Sequence, residues 1–172
     1  MTLLAIDPGL EKSGMVVLEA GRVVASGLCE NGDLLEIVKH GCQASTLAIE
    51  MIDSYGMPVG KEVFRTLIWV GRFMQAWPRP DEVRLIERRQ IKLALCGTAR
   101  AKDSNVRQAL IDRLGPPGIK RAPGPTYGVT GHMWAALGVA VVAQERAAAG
   151  LIRGDATKRP APRPRDLFAA AE

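Results

Sequence analysis

The chain has 172 residues, 47% of them hydrophobic and 24% charged, the composition of an ordinary folded domain with room for one core. Its longest apolar stretch, Met133 to Ala143, is too short to span a bilayer, and an aromatic content of 5% disfavours a base-stacking platform of the single-strand-binding type. The net charge of +5 is concentrated: Arg84 to Arg121 holds ten Lys or Arg against three acids, which points to a polyanionic partner, with a merely soluble basic surface as the alternative.

In chain order, Leu3–Ile6 reads as a strand buried on both faces. It ends on Asp7, and Pro8-Gly9 turn the backbone at once. Gly14–Glu19 and Arg22–Gly27 flank Ala20-Gly21 and read as a hairpin. Leu34–His40 is a short helix, with His40 on the surface. Thr46–Met51 is a second buried strand, again with an acid in an apolar setting, Glu50.

Pro58–Trp77 is the clearest helix, with Pro58 in its first turn. Val59, Val63, Leu67, Val70, Met74 and Trp77 recur at helical spacing, and Phe64, Ile68 and Phe73 widen the stripe. That pattern fits a central core helix, or one that also packs against a second subunit. Glu82–Glu87 is a strand, Arg89–Leu95 a short helix, and Asp103–Leu114 a helix capped by Asp103 or Ser104. Gly115–Gly128 is a loop rich in proline and glycine, Thr130–Ala149 an Ala-rich apolar helix, and the Pro/Arg-rich tail from residue 151 reads as disordered. Five strands, a hairpin followed by β/α alternation, imply a mixed α/β sheet flanked by helices.

Three groups of residues suggest chemistry. If the strands ending in Asp7 and containing Glu50 are neighbours, their carboxylates repel unless one is protonated or a hard cation such as Mg²⁺ sits between them. For either acid alone, a strand-end residue capped by backbone amides is the plainer reading. His132, at the start of the last helix, is a surface or capping residue unless that helix end faces the two acids, where an imidazole binds metal or moves protons. Arg100 and Lys102 precede a helix N-terminus and Arg107 lies one turn further, an arrangement suited to phosphate or simply to a solvated helix start. Three cysteines (Cys29, Cys42, Cys96) without metal spacing, and no recognisable signal peptide, suggest a reducing cytoplasm.

The order IDPG, a hairpin, IEMIDSYGMPVGKEVF, GTARAKDSNVRQALIDRLG and HMWAALGVAVV resembles the RuvC Holliday junction resolvases, nearest their phage-type branch, over about residues 3–146. The resemblance implies a ribonuclease-H-like fold over residues 1–150 and a homodimer through helix 58–77. It also implies an endonuclease that cuts four-way DNA junctions with two Mg²⁺ per site, Mn²⁺ being an alternative, in the cytoplasm of a bacterium or phage-infected host. Asp7 and Glu50 match the family's first- and fourth-strand acids, with His132 on the remaining side as ligand or proton carrier. Arg89, Lys92, Arg100, Lys102 and Arg107 fall in its DNA-contacting region. The family's last helix presents two acids one turn apart, or a His followed by an Asp; here the pattern gives His132 and Ala135. Either three groups suffice, or Asp53 or Asp103 assists, or activity is weak. The rival functions are a broader branched-DNA or nonspecific nuclease, and a junction-binding protein without robust cleavage. In the tail, Leu167-Phe168 offers an anchor for a sliding-clamp-type partner, against a solvated tail that adds nonspecific DNA affinity.

Overall fold

The computed structural model describes residues 1–40 and 43–150. Cys42, and the disorder and clamp anchor expected of the tail, lie outside the described residues. Five strands form one sheet: β1 (Thr2–Asp7), β2 (Lys12–Glu19), β3 (Arg22–Glu30), β4 (Thr46–Met51) and β5 (Arg84–Glu87), in the spatial order β3-β2-β1-β4-β5. β1 and β2 pair antiparallel, as do β2 and β3, while β4 runs parallel to both β1 and β5. The β2–β3 hairpin turns at Ala20-Gly21, both with positive φ, as a two-residue turn between twisted strands requires.

Period-two alternation explains the two cores. Leu3 and Ala5 of β1, Val16 and Leu18 of β2 and Ala48 of β4 face one side, where they pack with Leu137, Val139 and Ala140 of α5 (Met133–Ala148). Leu4, Ile6, Val17, Leu47 and Ile49 face the other side, against Leu34 and Val38 of α1 (Asn31–His40) and Val70 and Phe73 of α2 (Lys61–Ala76). The central strands are therefore apolar throughout, as expected of strands covered on both faces. Two further helices, α3 (Arg88–Cys96) and α4 (Asp103–Leu114), join α5 through Ile91, Leu95, Val106 and Leu110. No helix among the described residues is long and apolar enough to cross a membrane.

Several expectations shift. The long helix starts at Lys61, because Gly60 is extended and ends the irregular approach that contains Pro58. Phe73 belongs wholly to the core, whereas Phe64 and Ile68 are 58% and 62% exposed and form the outer apolar face. A short 3₁₀ turn (Pro80–Glu82) takes the start of the expected fifth strand. Lys102, not Asp103 or Ser104, caps α4: the Asn105 side chain accepts the Lys102 backbone N–H at 3.0 Å, which leaves the Asp103 carboxylate for other partners. The expected loop contains a two-stranded ribbon, β6 (Gly118–Ile119) and β7 (Ala122–Pro123). The last helix begins at Met133, with His132 at its cap.

Gly138 of α5 lets α3 and α4 approach closely. A Cβ there would stand 3.1 Å from Ile91 Cγ2 and within 4 Å of Leu95 and Val106 side-chain atoms. Gly138→Leu overfills this junction and is expected to lower unfolding free energy by about 1–3 kcal/mol, read as a lower urea midpoint at unchanged slope.

Candidate active site

Asp7 is the last residue of β1, and Glu50 lies at the corresponding end of its parallel neighbour β4. The register runs Ala5 with Ala48 and Ile6 with Ile49, so the next step sets Asp7 beside Glu50. Alternation points both acids toward the face covered by α3, α4 and α5. In open sheets with parallel strands, the carboxyl ends of the strands are where ligands bind. Here that edge opens into a cavity of about 360 Å³ lined by Asp7, Glu50, Arg88, Asp103, Arg107 and His132, with Trp134, Ala135, Val106 and Gly131 completing it.

The turn after Asp7 is fixed by a closed set of hydrogen bonds. The Gly9 N–H donates to Ser13 Oγ (3.2 Å), Ser13 Oγ donates to Asn31 Oδ1 (2.6 Å), and Asn31 Nδ2 donates to the Gly9 carbonyl (3.0 Å). Ser13 and Asn31 are buried, and each finds its partners within this set. Gly14, opposite Asp7 in the register, meets the start of α5: a Cβ there would lie 2.7 Å from the His132 carbonyl oxygen. The bare backbone at Gly14 is what lets His132 Nδ1 come within 3.1 Å of Asp7 Oδ2.

The two acids are short of compensating charge. Burial raises the Asp7 carboxyl above its ordinary value, and the hydrogen bond and charge of His132 only partly offset this. Burial pushes Glu50 up to about 7, against the opposing charge of Arg88. Arg88 Nη1 is 3.4 Å from Glu50 Oε2, and its Nη2 is 2.8 Å from Asp103 Oδ1. That second bond holds Asp103 below its ordinary value. Lys92 Nζ, one turn along α3, lies 3.6 Å from the same Asp103 oxygen.

Of the residues singled out in the sequence, the fold brings Asp7, Glu50, His132 and Arg107 to one cavity, with Lys92 joined to it through Asp103. Arg107 packs its guanidinium 4.9 Å from the centre of the Trp134 ring. Arg89, Arg100 and Lys102 are exposed and stand outside the cavity lining. Asp53 accepts the Tyr55 backbone N–H and is also outside it, whereas Asp103 is inside. Ala135 lines the cavity one turn after His132, so the position at which the resemblance leads one to expect an acid faces the site. Arg88 and the Ser13–Asn31 pair went unrecognised in the sequence. Arg88 carried one usable signal, a charged residue directly after a strand that ends at the same sheet edge.

The donor chemistry fits a hard divalent cation: two largely buried carboxylate groups, under-neutralised, at the wall of an open cavity. Among the described residues, no three His, Cys, Asp or Glu groups converge closely enough to form a ready cage. An ion held by Asp7 and Glu50 would therefore keep several waters.

The raised Glu50 value sets a pH signature for the cation-free protein. Between pH 4.5 and about 7 the folded chain retains a proton that the unfolded chain gives up, so stability falls as pH rises through that window. Glu50→Gln removes the effect. The variant is expected to be about 1–3 kcal/mol more stable than the parent at pH 8 and nearly equal at pH 4, in urea titrations with chelator present.

No family model matches the chain, and no curated protein matches it. Solved structures do. The chain is similar to a Thermus thermophilus RuvC structure, at 22% identity and a TM-score of 0.60, over 87% of this chain and 97% of that one. It is likewise similar to T. thermophilus RuvC in complex with a Holliday junction substrate, at 22% identity and a TM-score of 0.63, over 87% and 96%. The five-stranded mixed sheet and its flanking helices are thus a ribonuclease-H-like fold of the RuvC type.

Proposed function

We propose that the protein is a divalent-cation-dependent endonuclease that resolves four-way DNA junctions, as a phage-type relative of RuvC. The observation that carries this reading is the pairing of Asp7 and Glu50 at the carboxyl ends of adjacent parallel strands, with His132 against Asp7. The junction as substrate is supported by the likeness to a RuvC solved with a Holliday junction substrate. The reading places the protein in the cytoplasm of a bacterium or phage-infected host.

Asp7 and Glu50 would hold the cation, Mg²⁺ or Mn²⁺, through oxygen donors. When bound, it neutralises phosphate charge and lowers the pKa of coordinated water. His132, largely exposed to the cavity, is placed to take up a proton beside Asp7. Arg107 and Lys92 answer phosphate charge near the site, and Arg89, Arg100 and Lys102 extend the basic surface beyond it. Phosphate contacts of this kind read backbone shape more than sequence. Phe64 and Ile68, one turn apart and exposed on α2, support a homodimer through that helix. Two copies related by a two-fold axis present two sites for symmetric cuts.

Ala135 supports a second reading, a junction-binding protein that cuts poorly. The discriminating experiment is cleavage of a labelled four-way junction beside matched duplex and fork, in Mg²⁺, Mn²⁺ or EDTA. Paired symmetric nicks confined to the junction are expected, abolished by EDTA and reduced on the order of 10²-fold or more by Asp7→Asn. Binding without cuts in either metal would overturn the catalytic reading, and cuts in every substrate would replace it with a broader nuclease. A large gain from Ala135→Asp would identify a site weakened by the missing acid, and no gain a site already complete.

A further inference from the structure

Arg88 stands between two unlike carboxylates. Its contact with Glu50, whose side chain is 12% exposed, is the longer at 3.4 Å. Its contact with Asp103, whose side chain is 72% exposed, is the shorter at 2.8 Å. Asp103 is itself shared with Lys92, so its Oδ1 already faces two cationic groups. Both of those groups come from α3, while Asp103 opens α4, and the two helices are packed through Ile91, Leu95 and Val106. Arg88 therefore has a second anion at hand, and it can let go of Glu50 without being left unpaired. A half-buried guanidinium with no partner would be costly, so this alternative decides how readily Glu50 is released.

We propose that Arg88 and Asp103 form a latch on Glu50: Arg88 screens the buried carboxylate in the cation-free protein, and Asp103 is the anion onto which Arg88 withdraws when Glu50 takes a divalent cation. This rests on the cation-dependent reading above. It assigns Asp103 a positioning role exercised through Arg88, in place of the role of substitute ligand for the acid absent at Ala135. The two roles predict opposite behaviour when both residues are changed. A latch whose bolt is removed no longer needs its keeper, whereas a lost ligand stays lost.

The test is Mn²⁺ binding to the full chain without DNA, by calorimetry or by the electron paramagnetic resonance of free Mn²⁺. Asp103→Asn leaves Arg88 only Glu50 as a carboxylate partner, and is expected to weaken binding about tenfold. Arg88→Gln is expected to bind at least as tightly as the parent. The double variant is expected to return to within about twofold of Arg88→Gln alone. A double variant about tenfold weaker than Arg88→Gln, the loss of Asp103→Asn carried over unchanged, would make Asp103 a ligand and overturn the latch, as would an Asp103→Asn variant that binds like the parent. A parent chain that binds no Mn²⁺ would instead sink the cation-dependent reading, and the latch with it. Circular dichroism melts check each fold; if Arg88→Gln loses its cooperative melt, Arg88→Met keeps the aliphatic stem and carries the same expectations.

Discussion

Holding two carboxylates at a sheet edge away from bulk water is costly unless something answers their charge. That constraint organises this end of the molecule. The parallel pairing of β1 and β4 forces Asp7 and Glu50 side by side, and neither strand can slip by one residue without turning its acid into the opposite core. The answering groups come from elsewhere in the chain. α5 brings His132 to Asp7, and α3 brings Arg88 to Glu50. Neither completes the task, since both acids remain above their ordinary values. A site left short of positive charge is one prepared to accept more of it.

The precision of the arrangement comes from small things. Gly14 gives up a side chain so that the start of α5 can rest on β2, and Gly138 gives up another so that α3 and α4 can close on α5. The Ser13–Asn31–Gly9 set ties the turn after Asp7 to the start of α1, on the far side of the hairpin. Each member donates and accepts within the set, so this buried polar cluster specifies one turn geometry without leaving an unpaired group.

Much of this was legible in the sequence because the signals were local and periodic. The apolar strand ending in Asp7, the hairpin at Ala20-Gly21 and the stripe of α2 each announce themselves within a window of ten to twenty residues. The two acids were legible for a different reason: a carboxylate inside an apolar strand is expensive and so demands an explanation. What could not be read was pairing at a distance. Glu50 and Arg88 are 38 residues apart, and the one local signal that sets Arg88 apart from the solvent-exposed Arg89, its place directly after β5, does not name its partner. The capping of α4 was misread because Asp103 is a good cap in isolation. The pull of Arg88 and Lys92 on its carboxylate, and the Asn105 side chain on Lys102, belong to tertiary context. Phe73 likewise looks no different in sequence from Phe64 and Ile68, and only the sheet beneath α2 decides which of the three is covered.

The contact between His132 and Asp7 closes a span of 125 residues. Asp7 closes β1, whereas His132 follows every strand of the sheet in sequence and directly precedes α5. β1 itself is central, lodged between a strand made immediately after it and one made some forty residues later. Such long-range closure is slow to form and late to be rewarded. A partly synthesised chain, or one truncated before the final helix, therefore carries both acids but not the assembled cavity. The cavity at this edge of the sheet is therefore a property of the assembled fold and of no single segment of it.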